Sequence, residues 1–376
     1  MTIVCSSSCT LTSERGTPCH LMRAIAKYVP VIYINPPHSY HRWHRVREQM
    51  GRAINGLNMK VVTPVLPITF RFLPRRLRRK LIALLATLQV HRQIVEDLKE
   101  PLVLWSYLNE LTIALRRRLK PALLCYHCLD DFAVLLPKER YLEKMIENLA
   151  DLLFVVSPTL QQRYAIQGRQ AFLLPNGVDV DHFAQALSPD TCVPEDMANL
   201  SSPRIGFVGT VDPAWVDTEI LLQIAQARPD WSVIIIGPLV NWYQPKKLPP
   251  NCFFLGARPY QTIPAYLKGL DVCLIPFKDN AITRSASPLK LYEYLAAGRA
   301  VVTSPVPDQL NFSPVTWLAQ TTEEFLRAIE EALKVANDYR EQQRRLSIVS
   351  QHSWQQRAKT ALSHVQHALA SLLLNR

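Results

Sequence analysis

The stretch SASPLKLYEYLAAGRAVVTSP, residues 285–305, predicts a helix that is followed at once by a strand. Ser287 is a residue type favoured at the N-cap of a helix, Pro288 suits the first helical position, and Gly298 lies where the helix is expected to end. The run AVVT behind it is apolar without alternation, which is typical of a parallel strand buried on both faces. The stretch therefore predicts one helix–strand step of an α/β fold.

The same alternation of apolar runs and amphipathic stretches extends along the chain and predicts βαβ units with parallel sheets. The predicted strands are TIVCSS (2–7), VIYINPP (31–37), VVTPVL (61–66), PLVLWSY (101–107), ALLCYHC (122–128), LLFVVS (152–157), AFLLP (171–175), RIGFVGT (204–210), WSVIIIGP (231–238), CFFLGA (252–257), VCLIPF (272–277), AVVTSP (300–305) and VTWLAQ (315–320). Residues 184–203 are polar and rich in Pro and Ser, so we expect a linker between domains at 1–183 and 204–345. Residues 346–376 are predicted as a C-terminal helix.

The composition is that of a globular protein, with 376 residues of which 48% are hydrophobic. No apolar run reaches the roughly 18 residues of a membrane-spanning helix, and the N-terminus lacks the basic and apolar regions of a signal peptide. We therefore expect a cytoplasmic location and reduced thiols at all eight cysteines. Cys125 and Cys128 flank His127 as in some zinc sites, but no second pair has the right spacing, so small apolar residues on a buried strand are the favoured interpretation.

The net charge of +12 is concentrated in the first half of the chain. Residues 1–183 carry 25 basic against 14 acidic residues, whereas residues 184–376 carry 18 against 17. The run RFLPRRLRRK (71–80) is interleaved with large apolar residues, which favours an anionic membrane surface over a nucleic acid as the partner, with an ordinary solvated helix face as the other interpretation. The predicted membrane-facing residues are Arg71, Arg75, Arg76, Arg78, Arg79 and Lys80.

The predicted helix in residues 285–305 carries a cation and an anion on one face. The free N–H groups and the dipole at a helix N-terminus favour an anion, above all a phosphate. Lys290 lies in the first turn, where a cation normally opposes the dipole, and a bound anion would account for it. Glu293 lies one turn on, where a carboxylate can accept hydrogen bonds from the vicinal hydroxyls of a ribose. A nucleotide site and a simple ion pair between residues i and i+3 both remain open.

Four motifs together resemble the GT-B glycosyltransferases, specifically the large family-4-like group that builds bacterial polysaccharides. SPLKLYEYLAAGRAVVTSP resembles the donor-binding segment, LLPNGVDVDHF (173–183) the interdomain segment, RIGFVGT (204–210) the first strand and Gly-loop of the C-terminal domain, and TPCHLM (17–22) the first-loop motif of the acceptor domain. The resemblance implies two Rossmann-like domains facing each other across a cleft, with the C-terminal helix packed back on the N-terminal domain. It also implies transfer of a sugar from a nucleotide-diphosphate sugar to a glycan or lipid-linked acceptor at the inner face of the membrane.

By this resemblance the second domain binds the donor, and Glu293 takes the role of the ribose-binding glutamate. Many members carry another glutamate eight positions earlier, where this chain has Ser285. The usual Arg and Lys after the Gly-loop are also missing from GTVDPAWVDTEI (209–220), so Lys290, helped by Arg284, has to carry the diphosphate charge. The predicted donor-binding residues are Gly209, Thr210, Arg284, Ser285, Ser287, Leu289, Lys290 and Glu293.

The first domain is expected to supply the catalytic and acceptor-binding residues. His127 matches a histidine that many retaining relatives place beside the sugar, with a structural histidine at a strand end as the other interpretation. An inverting enzyme needs a base within hydrogen-bond reach of the acceptor hydroxyl, and Asp130 or Asp131 can serve. Gly16 and His20 lie in the first βα loop and are predicted to contact the acceptor, although His20 is also suited to capping a helix.

Neither a metal nor a cofactor beyond the sugar donor is expected. Asp179 and Asp181 form a DVD sequence that resembles a metal-binding motif of the other glycosyltransferase fold, but it lies in the PNGVD segment and is interpreted as turn chemistry. Two alternatives to a transferase are a sugar-nucleotide 2-epimerase of the same architecture and a catalytically inactive relative that binds a membrane or a nucleic acid. The charge asymmetry and the PNGVD segment argue against the epimerase.

Overall fold

The computed structural model describes residues 1–11, 16–39, 56–66, 70, 72–240 and 248–374. The strands are β1 (Thr2–Ser6), β2 (Val31–Ile34), β3 (His38–Ser39), β4 (Met59–Val62), β5 (Val65–Leu66), β6 (Leu102–Ser106), β7 (Leu123–Cys128), β8 (Leu152–Val155), β9 (Phe172–Leu173), β10 (Arg204–Val208), β11 (Ser232–Ile236), β12 (Cys252–Gly256), β13 (Val272–Ile275), β14 (Ala300–Thr303) and β15 (Thr316–Leu318). The helices are α1 (Thr17–Ile25), α2 (Arg75–Ile94), α3 (Leu111–Leu119), α4 (Phe132–Leu135), α5 (Arg140–Leu149), α6 (Pro158–Ile166), α7 (Val180–Ala184), α8 (Glu195–Ala198), α9 (Thr218–Ala227), α10 (Ile263–Lys268), α11 (Leu289–Ala296), α12 (Thr322–Leu333), α13 (Tyr339–Ser350) and α14 (Trp354–Leu374).

The chain forms two compact units, Met1–Leu174 with Trp354–Arg376 and Pro175–Ser353. The first unit contains a seven-stranded parallel sheet in the order β4-β2-β1-β6-β7-β8-β9, and β3 pairs with β5 beside it. The second unit contains a six-stranded parallel sheet in the order β12-β11-β10-β13-β14-β15. In both sheets the strand order reverses beside the first strand of the unit, as in a Rossmann fold.

Every predicted apolar run contains a strand, because the central strands are buried on both faces. The run at 61–66 is split between the end of β4 and β5, since Pro64 cannot donate a ladder hydrogen bond. The predicted α/β class with two parallel sheets is confirmed.

The boundary between the units differs from the predicted one. The first unit ends at Leu174, whose N–H donates to Val155 O at 2.8 Å and so continues the first sheet. Residues 184–203 lie within the second unit instead of linking two domains, because Ala186 and Met197 are buried in its core.

The C-terminal segment is divided between the two units. Residues 339–350 form α13 in the second unit, whereas α14 belongs to the first unit and packs against α1, as the resemblance implied for the C-terminal helix. Of the helices in the described part of the chain, none has both the length and the apolar character needed to cross a membrane.

Candidate functional site

The loop after β10 and the first turn of α11 meet at the point where the strand order of the second sheet reverses. An ideal Cβ placed on Gly209 would lie 2.4 Å from Lys290 Cε and 3.4 Å from its Nζ, so the lysine side chain lies directly over this glycine. Tyr294 fixes α11 to the end of β10, because its hydroxyl donates to Val208 O at 2.9 Å and accepts from Val208 N at 2.8 Å. Ligands of open parallel sheets bind at such reversal points, beside the carboxyl ends of the strands.

Lys290 and Glu293 lie on the same side of α11, with Lys290 Nζ 4.0 Å from Glu293 Oε2. The side chains are only 26% and 15% exposed, respectively. Lys334 and Glu331 form an i,i+3 pair of the same residue types at the end of α12, at 2.6 Å and with 65% and 59% exposure. Lys290 and Glu293 are therefore more shielded and less tightly joined than the surface ion pair on α12.

The start of α11 corrects the sequence prediction for Ser287 and Pro288. The helix begins at Leu289, Pro288 occupies the N-cap position with an extended backbone, and Ser287 precedes it. The Ser287 hydroxyl accepts from the N–H of Asn176 at 3.1 Å, and the Asn176 side-chain amide donates to the Ser287 carbonyl. Asn176 of the PNGVD segment (residues 175–179) thus fixes the position of the residue that leads into α11. No side chain in the described part of the chain caps α11, which leaves its first N–H groups available to a ligand or to water.

The remaining predicted donor residues differ in their surroundings. Arg284 forms an exposed ion pair with Asp279, in which Nε donates to Oδ1 at 2.6 Å and Nη2 donates to Oδ2 at 2.8 Å. These hydrogen bonds raise the pKa of Arg284. Ser285 is buried, and its hydroxyl donates to the carbonyls of Ala281 and Ile282. Thr210 is exposed beside Gly209, and Leu289 is half-buried. The structure therefore brings Gly209, Thr210, Leu289, Lys290 and Glu293 to one place, whereas Arg284, Ser285 and Ser287 all bond to other parts of the second unit.

Gly237 belongs to the same region and was not predicted. It follows β11 in the left-handed region of backbone space, with a φ of 147°, and an ideal Cβ there would lie 1.8 Å from Gly209 O. Any larger residue at 237 would push the Gly209 loop away. In the sequence, the signal for this position is a glycine directly after the apolar run Val-Ile-Ile-Ile at 233–236.

His127 lies at the end of β7 inside a cluster of aromatic rings. Its ring centroid is 5.8 Å from that of Trp105, 5.5 Å from Tyr107 and 6.1 Å from Phe154. The side chain is 1% exposed, and burial lowers its pKa to about 3 despite a compensating contact with the Leu174 backbone. A histidine that is buried from solvent and neutral at physiological pH favours the structural interpretation. The catalytic role of His127 stays a prediction.

The two aspartates behind β7 have different surroundings. Asp131 precedes α4 and accepts from Arg163 at 2.7 Å, and the same guanidinium donates to Glu143 at 3.1 Å. Within the described residues, no hydrogen bond engages the Asp130 carboxylate. Loss of hydration and the nearby negative charge of Asp131 raise the pKa of Asp130 to about 7. Asp131 is therefore fixed in an ion-pair network that sequence reasoning missed, and Asp130 is the aspartate able to exchange a proton near neutral pH.

The predicted acceptor residues lie at the start of α1. Gly16 has a φ of 91°, a left-handed conformation that favours glycine, and its carbonyl accepts from the N–H of Cys19. His20 is the fourth residue of α1 and does not cap it; its ring stacks on Trp354 of α14 with centroids 5.5 Å apart.

The basic segment forms the first turns of α2, and Arg71 lies outside the described residues. Arg75 and Arg79 both bond to Glu139, and Arg79 also bonds to Glu110, so these two cations are neutralised within the unit. Arg76 and Lys80 are exposed, Arg78 is half-buried, and none of these three has an ion pair within the described ranges. Phe72, just before α2, is an exposed apolar residue, and so are Leu77, Leu84 and Leu88 on α2 itself.

No cluster of three or more His, Cys, Asp or Glu residues suited to a metal occurs among the described residues. Asp179 caps α7, accepting from His182 N at 3.2 Å, in keeping with the turn chemistry predicted for the DVD sequence. None of the eight cysteines, all of which lie within the described ranges, forms a disulfide.

Comparison with known families finds a similarity in the second unit. Residues 202–335, which include Gly209, Lys290 and Glu293, match the family model described as Glycosyl transferases group 1. The chain is 29% identical over 138 residues, 35% of its length, to the putative teichuronic acid biosynthesis glycosyltransferase TuaH of Bacillus subtilis. That alignment covers 34% of the relative, so the chain spans about a third of the length of the curated relative it matches. The predicted resemblance to glycosyltransferases is confirmed.

Solved structures resemble the chain over almost its full length. Sucrose-phosphate synthase from Thermosynechococcus elongatus aligns with a TM-score of 0.71 and 15% identity, covering 98% of this chain and 99% of that one. The E. coli trehalose-6-phosphate protein solved with UDP-2-fluoro glucose aligns with a TM-score of 0.69 and 12% identity, covering 96% and 98%. At these identities the likeness shows the fold alone, and it confirms the predicted GT-B fold class.

Proposed function

We propose that the protein is a glycosyltransferase that takes its sugar from a nucleotide-diphosphate donor held by Lys290 and Glu293. The observation that carries this proposal is the position of Lys290, whose side chain lies over Gly209 where the strand order of the second sheet reverses. The family match spans the same residues and supports a transferase over an epimerase.

The shielding of Lys290 and Glu293 supports a nucleotide site over a surface ion pair. A distance of 4.0 Å leaves hydrogen-bonding capacity on both groups, and the uncapped first turn of α11 adds N–H groups that favour an anion. In the proposed complex, Lys290 binds the diphosphate and Glu293 accepts from the ribose hydroxyls. Gly209 and Thr210 let the loop backbone approach the phosphates closely, and Leu289 packs beside them.

The leaving diphosphate is stabilised without a metal in this proposal. The positive charge of Lys290 and the N-terminal end of α11 are fixed before the reaction, so they stabilise developing negative charge without reorganisation. Arg284 has to leave Asp279 before it can add a second positive charge, which its exposed position permits.

For proton transfer from the acceptor we propose Asp130. A pKa near 7 keeps a useful fraction of the carboxylate ionised at neutral pH while leaving it basic enough to accept a proton. Asp131 is held by Arg163 and acts on Asp130 through its negative charge. Gly16 and His20 are proposed to contact a glycan or lipid-linked acceptor.

We further propose that α2 attaches the protein to the inner, cytoplasmic face of an anionic membrane. Leu77, Leu84 and Leu88 follow one another at helical spacing on its exposed side, and Phe72 precedes them. Arg76 and Lys80 supply the unpaired positive charge for anionic headgroups. Arg75 and Arg79 take no direct part, because Glu139 and Glu110 neutralise them.

A thermal-shift panel of UDP-, GDP- and dTDP-sugars tests the donor proposal. A ligand that binds only the folded chain raises the melting temperature by mass action, by an amount that grows with ligand concentration. We expect one nucleotide series to raise it and the matching free sugars to leave it unchanged. A panel in which no nucleotide shifts the melting temperature contradicts the proposal. Donor binding without transfer or hydrolysis identifies the catalytically inactive alternative.

A further inference from the structure

Two thiols face each other near the carboxyl end of β1, one in the loop that follows this strand and one in the first turn of α1. Cys9 Sγ lies 3.5 Å from Cys19 Sγ. Cys9 is half-buried, whereas Cys19 is buried in the first turn of α1. Cys9 is thus the less buried of two adjoining thiols and Cys19 the buried one, as expected of an attacking and a resolving cysteine.

Hydroxyl groups surround this pair. The Tyr33 hydroxyl lies 3.4 Å from Cys9 Sγ and 3.5 Å from Cys19 Sγ, and Ser7 Oγ lies 3.6 Å from Cys9 Sγ. The contact with Cys19 and the hydrogen bonds from Tyr33 and Ser7 outweigh the loss of hydration and lower the pKa of Cys9 to about 6. By contrast, burial raises the pKa of Cys128 and of Cys273 to about 12.

We infer that Cys9 and Cys19 are a redox-sensitive pair that a hydroperoxide converts into an intramolecular disulfide. The Cys9 thiolate attacks the terminal oxygen of the hydroperoxide, the O–O bond breaks, and the leaving alkoxide, or hydroxide when the oxidant is hydrogen peroxide, takes a proton from water and departs as an alcohol or as water. The Cys19 sulfur then attacks the resulting sulfenic acid, the S–O bond breaks, and water leaves with the Cys19 proton. The two thiols lose two electrons and the hydroperoxide gains them.

The disulfide ties the loop after β1 to the first turn of α1, directly beside Gly16 and His20. Because these are the proposed acceptor-binding residues, the oxidised protein transfers sugar several-fold more slowly and recovers on reduction. This consequence rests on the proposed transferase function, whereas formation of the disulfide does not.

Peptide mapping of the full chain tests the disulfide. The sequence places Cys5 and Cys9 in tryptic peptide 1–15 and Cys19 in peptide 16–23, because Arg15 and Arg23 are the cleavage sites. After hydrogen peroxide and blocking of free thiols, we expect these two peptides to be joined and to separate on reduction with dithiothreitol. The link should vanish in Cys9→Ser and persist in Cys5→Ser and in Cys192→Ser, the exposed control.

Three results would overturn the inference: no link between the peptides when Cys192 is fully oxidised, oxidation of Cys9 to a sulfinic acid without a link, or a link that disappears in Cys5→Ser. A separate transfer assay compares oxidised and reduced wild type with Cys9→Ser, which peroxide should leave unaffected. Equal rates in oxidised and reduced wild type contradict the regulatory consequence. If no form transfers sugar, the proposed function fails while the peptide map still decides the disulfide.

Discussion

The Lys290 side chain occupies the space in which residue 209 would carry a Cβ atom, with its Cε 2.4 Å from that position. Gly209 therefore determines where the lysine lies, and the two residues act as one feature although 81 positions separate them in the sequence.

Gly209→Ala is expected to displace Lys290 and to weaken nucleotide diphosphate binding by about 1–3 kcal/mol, the loss of a charge-assisted hydrogen bond. Stability should change modestly, because the nearest displaced atoms are the far end of the flexible Lys290 side chain, whereas the buried ring of Phe207, whose Cζ would lie 3.1 Å from the added Cβ, has to shift by only a small amount. Isothermal titration calorimetry and urea unfolding measure the two effects. In the double variant with Lys290→Ala, the alanine at 209 should add almost nothing to the loss. Additive losses would show that the glycine acts independently of the lysine.

Ser287→Ala is expected to destabilise the second unit by about 1–3 kcal/mol, because the buried N–H of Asn176 loses its acceptor. Urea unfolding monitored by Trp fluorescence gives the shift in midpoint. Ser350→Ala is the matched control, since this exposed hydroxyl on α13 bonds, within the described residues, only to Leu346 O, and the variant should stay within about 0.5 kcal/mol of wild type. Equal effects of the two substitutions would show that the hydrogen bond between Asn176 and Ser287 does not stabilise the second unit.

Asp130 should set the acid limb of the pH–rate profile, because a base has to be ionised to accept a proton. We expect kcat/KM to rise up to pH about 7, where Asp130 loses its proton, and then to level off. Asp131→Asn removes a negative charge that raises this pKa, so the limb should move to lower pH. His127→Asn should leave the limb in place, since the pKa of His127 is about 3. If the acid limb disappears in His127→Asn, then His127, and not Asp130, is the base that accepts the proton.

A stability measurement checks the same pKa without relying on activity. The native state keeps the Asp130 proton up to pH about 7, whereas the unfolded chain releases it near 4. Stability therefore falls as pH rises through this window, and the full cost of ionising the half-buried Asp130 carboxyl group is present above pH 7. Asp130→Asn removes that cost, so it should raise the melting temperature more at pH 8 than at pH 5. An equal change at both pH values would contradict the raised pKa.

Liposome flotation tests the membrane surface on α2. Arg76→Ala with Lys80→Ala should reduce binding to vesicles that contain anionic lipid by roughly 2 kcal/mol, at about 1 kcal/mol for each charge near the surface. The effect should shrink at high salt. Donor affinity should be unchanged, because both residues lie in the first unit.

The apolar half of that surface is tested by Leu77→Ser with Leu84→Ser, which should reduce flotation on neutral and anionic vesicles alike. Ile166→Ser and Leu310→Ser are the controls, since both side chains are strongly exposed and neither belongs to α2. Wild-type flotation in both α2 variants would remove the membrane proposal and leave an ordinary solvated helix face.

The sheets could be predicted because burial on both faces leaves a direct mark on the sequence. Runs such as WSVIIIGP and AVVTSP contain β11 and β14, and polar residues could not occupy those positions without losing hydrogen bonds to water. The boundary between the units at Leu174 leaves no such mark on the sequence and could not be predicted from it. The polar residues of 184–203 are compatible with a linker, and only the burial of Met197 among distant residues shows that they are part of the second unit.

The site could be predicted in part for a similar reason. Lys290 and Glu293 are neighbours on one helix, so their spacing alone placed them together. Ser287 looked like a helix cap because its partner, Asn176, is 111 residues away in the sequence. The neutralisation of Arg79 by Glu139 is likewise a contact across 60 residues, and local charge counting could not foresee it.

Isothermal titration calorimetry of nucleoside diphosphates with Lys290→Ala and Glu293→Ala tests the central proposal most directly. Lys334→Ala and Glu331→Ala are matched controls, because they break an i,i+3 pair of the same kind on α12. A donor site at Lys290 and Glu293 predicts that affinity falls about 5- to 150-fold in each α11 variant, equivalent to about 1–3 kcal/mol, and stays at the wild-type value in both control variants. Wild-type affinity in Lys290→Ala and Glu293→Ala would show that these residues do not bind the nucleotide.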